Sequence, residues 1–194
     1  EYAEAVRGFP NVQIVKTDNL IEGVNKAKEN ILSIERADLN EISDIVLKFV
    51  MNTKGYEATP LNFTLYDDGN FTESDSSIMN HPPEMVYYDK IMSGILSKIK
   101  NEFAGNNPYN RIENTSSRRF IYTNDSCISL VHATYRDLLD MHFVLRSSEV
   151  KTTFKYDLKF LYYLTEKVYN TLGLSPGKDN VRMRFNLNSA HVLL

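Results

Sequence analysis

Cys127 is the only cysteine of the 194-residue chain, and residues able to bind or move charge flank it at set distances. Arg118 and Arg119 precede it. Arg146-Ser147 follows nineteen positions later, Glu149 stands two beyond the serine, and Asp157 lies where an apolar helical pattern begins. A thiol beside guanidinium groups loses its proton more readily and becomes a nucleophile. A lone cysteine at the head of an apolar strand is also an ordinary small core residue, so both readings stand. Arginine forks meet phosphate oxygens two at a time, and the alternative is solvated surface charge. Asp157 can accept from an exocyclic amino group and, when protonated, donate to a ring nitrogen. It can equally cap the helix it opens. Of the four histidines, His191 lies in Asn188-Ser189-Ala190-His191-Val192-Leu193. His132 and His142 have no partners at metal-ligand spacing and read as structural, so no metal site is expected. His81 falls in a polar stretch and carries no signal.

Several elements must position these groups. Val12–Val15 suits a strand. Thr17 or Asp18 can cap a helix through Leu20, Ile21, Val24, Ala27, Ile31 and Leu32. Asp38 opens a second helix with Leu39, Ile42, Ile45, Val46 and Phe49 on one face. Leu61, Phe63 and Leu65 alternate with polar residues as in a half-buried strand. Residues 67–82 are polar and turn-rich, which predicts a long surface loop. Pro83 starts the longest helical pattern, through Val86, Tyr88, Ile91, Met92, Ile95, Leu96, Ile99 and Phe103, with Gly105 and Pro108 ending it. Phe120–Tyr122, Ile128–Tyr135 and Leu139–Leu145 read as strands, the last two as a hairpin turning near Asp137. Tyr156–Leu172 is an apolar helix closed by Gly173, and Val181–Leu187 alternates as a final strand. The whole predicts an α/β (α+β) chain, with helices packed on one large mixed sheet.

Composition narrows the function. A chain of this length forms one domain, residues 1–194, with room for a proper core. The net charge of −3 leaves no cationic excess for a nucleic-acid backbone, so no direct nucleic-acid partner is expected. One cysteine excludes an internal disulfide framework. No apolar run reaches the length of a membrane span and no secretory signal is legible. The expected compartment is therefore the cytoplasm of a cell or of a virus-infected host. Sequons at Asn62, Asn70, Asn114 and Asn124 read as chance matches.

The order Ser117-Arg118-Arg119, Cys127, Arg146-Ser147, Asp157 resembles the thymidylate synthase and deoxycytidylate hydroxymethylase family, best over residues 83–194. The resemblance implies a thymidylate synthase-like fold and addition of a one-carbon unit at C5 of a pyrimidine nucleotide. In those terms Cys127 is the nucleophile that attacks C6. Arg146 and Ser147 hold the phosphate within the subunit, and Arg118 and Arg119 reach a partner's phosphate in a homodimer. Asp157 reads the base, and its acidic character resembles the cytosine-specific members, whereas uracil-specific members carry Asn. Glu149 serves the folate and the proton transfers. His191 holds the sugar hydroxyl. The implied cofactor is 5,10-methylenetetrahydrofolate, the ligand a pyrimidine nucleoside monophosphate, and the biology phage-type DNA modification.

The departures are specific. Thr123-Asn124-Asp125-Ser126 replaces the proline-rich approach to the cysteine, and Thr152-Thr153-Phe154-Lys155 replaces a Gly-x-Pro loop. Leu193 stands where a tyrosine is expected, Glu57 is the nearest candidate for an early catalytic glutamate, and the sequence ends at Leu194, before the tail that closes over folate. These trimmed loops make a non-catalytic homologue, acting as a nucleotide-binding or assembly module, the alternative reading. A nucleotide-binding domain of another α/β family is a third, without a glycine-rich phosphate loop to support it.

Overall fold

The computed structural model describes residues 11–16, 32–34, 38–52, 59–104 and 119–193. Its strands are β1 (Asn11–Lys16), β2 (Leu32–Ile34), β3 (Thr59–Asp67), β4 (Arg119–Thr123), β5 (Ile128–Tyr135), β6 (Leu139–Leu145), β7 (Ser148–Glu149) and β8 (Val181–His191). Its helices are α1 (Leu39–Asn52), α2 (Tyr87–Ala104) and α3 (Phe154–Thr171). The strands make one mixed sheet in the order β2-β1-β3-β8-β6-β5-β4, with β7 added on β8. This is the expected α+β architecture. β6 and β8 run parallel because α3 crosses between them, and the short β4–β5 and β5–β6 connections give antiparallel hairpins.

Strand alternation decides which face is covered. Leu61, Phe63 and Leu65 on β3, Met141 and Phe143 on β6, and Met183 and Phe185 on β8 are buried under the helices. Their neighbours Thr64, His142 and Arg184 lie on the other face, half-buried or exposed. Phe63 and Phe185 are cross-strand partners whose rings stack at 4.5 Å, and Phe143 extends the row at 5.1 Å. Phe154, the first residue of α3, meets Phe63 edge-on at 6.1 Å, which ties the start of that helix to the middle of the sheet. α2 comes close to β4 through Gly94, where a Cβ would fall 2.0 Å from the Tyr122 ring.

One expectation changes and another gains detail. Residues 67–82 are irregular and mostly exposed, as in a surface loop, but their first residues are anchored in the core. Asp67 is 3% exposed and accepts the Tyr162 hydroxyl and the amides of Gly69 (2.7 Å) and Phe71 (3.3 Å). Phe71 is buried against Tyr162 and Tyr169, and a 3₁₀ turn covers Ser76–Met79. Leu32, placed on the first helical pattern, instead opens β2 opposite Ile14, and residues 17–31 lie outside those described. α2 is preceded by a separate 3₁₀ turn at Pro83–Met85.

Candidate active site

The β4–β5 connection is built by short polar side chains. Asn124 Oδ1 accepts the Ser126 amide at 2.8 Å, the Asn124 amide donates to the Ser129 carbonyl at 2.9 Å, and Ser126 Oγ donates to the Ile128 carbonyl at 3.0 Å. This turn sets Cys127 immediately before β5, half-buried and free. One rung beyond the β5–β6 pairing, the Arg146 amide donates to the Cys127 carbonyl at 2.8 Å. Residues nineteen apart in sequence thereby become neighbours, with the Arg146 side chain exposed to solvent.

After Arg146 the chain crosses Ser147, half-buried, into β7, where Ser148 lies opposite Ala190 and Glu149 opposite His191. The buried Ser148 hydroxyl has no hydrogen-bond partner among the described residues. His191 is half-buried with Nδ1 3.1 Å from the Ser189 carbonyl. Glu149 closes the turn into α3. Its carboxylate accepts from the Lys151 amide (3.1 Å), the Thr152 amide (2.7 Å) and the Thr152 hydroxyl. Burial pushes its carboxyl up, but these donors outweigh it and hold Glu149 below the usual range.

Asp157 lies in the first turn of α3 and is 2% exposed. Its Oδ1 accepts two hydroxyls from the start of α2, Tyr87 at 2.9 Å and Tyr88 at 2.6 Å. It therefore faces a neighbouring helix through this oxygen, and Thr153 occupies the cap position. Burial raises the Asp157 carboxyl to about 6, against the pull of the two hydroxyls. Burial also raises the Cys127 thiol, and the Asp157 charge adds to it. Arg146 acts in the opposite direction without reversing the balance, so proximity to an arginine does not give the low thiol pKa that the sequence suggested. Protonation of Asp157 removes one of the forces opposing a thiolate, so the two groups are chemically linked.

Cys127, Arg146 and Asp157 thus come together from three elements. Glu149 and His191 sit side by side across β7 and β8. Arg119 does not join them. It lies opposite Thr134 at the far end of the β4–β5 hairpin, seven residues along β5 from Cys127 and so roughly 23 Å away at strand rise. It is exposed on the sheet face away from the helices, beside the 46% exposed Ile121. Arg118, Ser117 and Glu57 lie outside the described residues. Sequence reading placed Tyr88 in the core stripe of α2 and missed its hydroxyl. The available signal was that a phenol on a buried stripe must find a polar partner.

No family model and no curated protein matches the chain. Among solved structures it is similar to the thymidylate synthase of T4 phage, over 37% of this chain and 24% of that one, with 19% identity and a TM-score of 0.32. It is also similar to the thermostable thymidylate synthase A of Bacillus subtilis, over 80% of each chain, with 12% identity and a TM-score of 0.46. Both are thymidylate synthases. The chain spans about a quarter of the T4 phage structure's length. Matches at this level assign no activity, so the chemistry rests on the side chains.

Folate is the cofactor implied by the family resemblance. Glu149, the residue the resemblance gives to it, has its carboxylate taken by three donors of its own turn. A cavity of about 190 Å³ lies between the 75–82 segment and α3, lined in part by His81, Met85, Tyr156 and Lys159.

Proposed function

We propose that this protein binds a pyrimidine nucleoside monophosphate and activates its C5 position through Cys127, with deoxycytidylate hydroxymethylation as the reaction. The observation that carries this reading is the convergence of Cys127, Arg146 and Asp157 from a hairpin turn, a strand end and a helix start. Arg146, with Ser147, takes the phosphate, and the exposure of its guanidinium suits a solvent-borne anion. Asp157 takes the amino edge of the base. Cys127 Sγ adds to C6, the C5–C6 π electrons move to C5, and C5 becomes the nucleophile. When C5 takes up an electrophile it loses its proton, and expulsion of the thiolate restores the double bond. The electrophile implied by the family resemblance is the methylene carbon of 5,10-methylenetetrahydrofolate. Arg118 and Arg119 serve the partner's phosphate in a homodimer. The exposed Arg119 on a sheet face that the helices leave uncovered supports this arrangement.

A second reading has its own observation. The raised Cys127 thiol and the internally bonded Glu149 favour a nucleotide-binding module without turnover. Release of tritium from C5-labelled deoxycytidylate separates the two. Release by the wild type and none by Cys127→Ser supports catalysis, whereas binding without release supports the module.

A further inference from the structure

We propose that the cavity between the 75–82 segment and the start of α3 binds a small zwitterion, a free α-amino acid with an apolar side chain, whose ammonium meets Asp75 and whose carboxylate meets Lys159. The cavity holds about 190 Å³ and lies apart from the Cys127 group. Tyr156 lines it and is 42% exposed, whereas the next residue, Asp157, turns its carboxyl inward to Tyr87 and Tyr88. Nothing at this place depends on how the Cys127 group is used.

The walls are fixed by contacts within the chain. Ser74 Oγ donates to Glu166 Oε2 at 2.7 Å, which ties the segment to α3 just ahead of the cavity. Asp75 then caps the 3₁₀ turn, its Oδ1 accepting the Ser77 amide at 2.8 Å and its Oδ2 the Ser77 hydroxyl at 2.6 Å. These bonds, with the Lys159 charge adding to them, hold the Asp75 carboxyl below its usual range. Each of its oxygens keeps a further acceptor position. At the other end the His81 ring meets Tyr88 edge-on at 5.3 Å. His81 is committed elsewhere, with Nδ1 3.0 Å from the Pro82 carbonyl and Nε2 3.3 Å from Asp89 Oδ2, so it serves as wall. Ile78, Met85 and Tyr156 make the apolar side. The Lys155 ammonium, 5.0 Å from the Tyr156 ring centroid, steadies that ring. Lys159 is half-buried, and its ammonium has no ion-pair partner among the described residues. Two opposite charges thus share one cavity without pairing, beside a surface that favours an apolar group. A plain anion would meet Lys159 against the Asp75 charge, and a plain cation would meet the reverse. A molecule carrying both signs on one carbon satisfies both, and its side chain is left for the apolar wall.

Titration calorimetry with L-phenylalanine, 3-phenylpropanoate and 2-phenylethylamine tests this, because the three share one ring and differ in the charges they carry. L-Phenylalanine should bind the wild type about tenfold or more tightly than either single-charge analogue, the value of one charge-assisted hydrogen bond. Asp75→Asn keeps an acceptor for the Ser77 amide and removes the charge. In that variant L-phenylalanine should fall to within about threefold of 3-phenylpropanoate. Lys159→Met keeps the apolar stem, and there L-phenylalanine should fall to within about threefold of 2-phenylethylamine. Deoxycytidylate should not displace the amino acid. No binding of L-phenylalanine up to about 10 mM overturns the proposal, and so does 3-phenylpropanoate binding equally well, which would make the cavity a simple anion site. An affinity unmoved by both substitutions overturns it too. Should either variant fail to fold, the three ligands on the wild type still decide between a zwitterion and a single charge. A protein that binds L-phenylalanine yet releases no tritium from C5-labelled deoxycytidylate upholds this cavity and fails only the chemistry at Cys127.

Discussion

Replacing Asp157 with asparagine should stabilise the protein at alkaline pH and leave it nearly unchanged in acid. Asp157 is buried, and its carboxyl rises from an ordinary 3.8 to about 6. At about 1.4 kcal/mol for each pH unit, holding it ionised costs the folded state about 3 kcal/mol. The sign follows from proton counts. Between pH 4 and 6 the folded state holds a proton that the unfolded chain has released, so stability falls as pH rises through this window. Below pH 4 both states are protonated and the penalty is absent. Asparagine keeps an oxygen for Tyr87 and Tyr88 and carries no charge, so it removes the penalty without stranding either hydroxyl. Urea unfolding of both proteins at intervals from pH 4 to 8.5 measures the difference directly, and the other carboxylates cancel. The variant should gain about 2–3 kcal/mol above pH 7, fading toward zero at pH 4. A difference that does not vary with pH, or a variant less stable at pH 8, would refute the placement of an ionised carboxylate in this pocket.

Other outcomes follow from single contacts. Gly94→Ala puts a methyl against the Tyr122 ring, and unfolding measurements should show a loss of about 1–3 kcal/mol despite alanine's better helix propensity. Tyr162→Phe removes the side-chain hydroxyl that Asp67 accepts, and a loss of about 1–3 kcal/mol should accompany faster proteolysis within residues 68–80. Alkylation of Cys127 by iodoacetamide at pH 7.5 should be slower than that of a small free thiol, and faster in Asp157→Asn than in the wild type, since the charge opposing the thiolate is gone. Equal rates in both proteins would remove the link between the two groups.

Periodicity made most of the fold legible. The apolar stripe Leu39, Ile42, Val46 and Phe49 and the alternation Leu61, Phe63, Leu65 each bury one face only, so pattern and element coincide. In the 67–82 stretch the loop was legible and its anchors were not, because they are single residues in polar surroundings. Asp67 and Phe71 are held by Tyr162 and Tyr169, about ninety positions away, and local composition carries no trace of such a contact. Leu32 fits a helical spacing, but its partner in the sheet is Ile14. Within the candidate site, the nearness of Cys127 and Arg146 was readable because a tight hairpin brings its two ends together. The sign of the thiol's perturbation was not. It depends on burial and on Asp157, which arrives from a different helix. Tyr88 was legible as core and illegible as a donor, because its acceptor lies 69 positions away.

The most direct test is protection of Cys127. Alkylation of the wild type should slow in proportion to occupancy as deoxycytidylate is added, with deoxycytidine lacking its phosphate far less effective and Arg146→Ala losing most of the difference. An alkylation rate unchanged at saturating deoxycytidylate would place the nucleotide away from the sulfur and contradict the site.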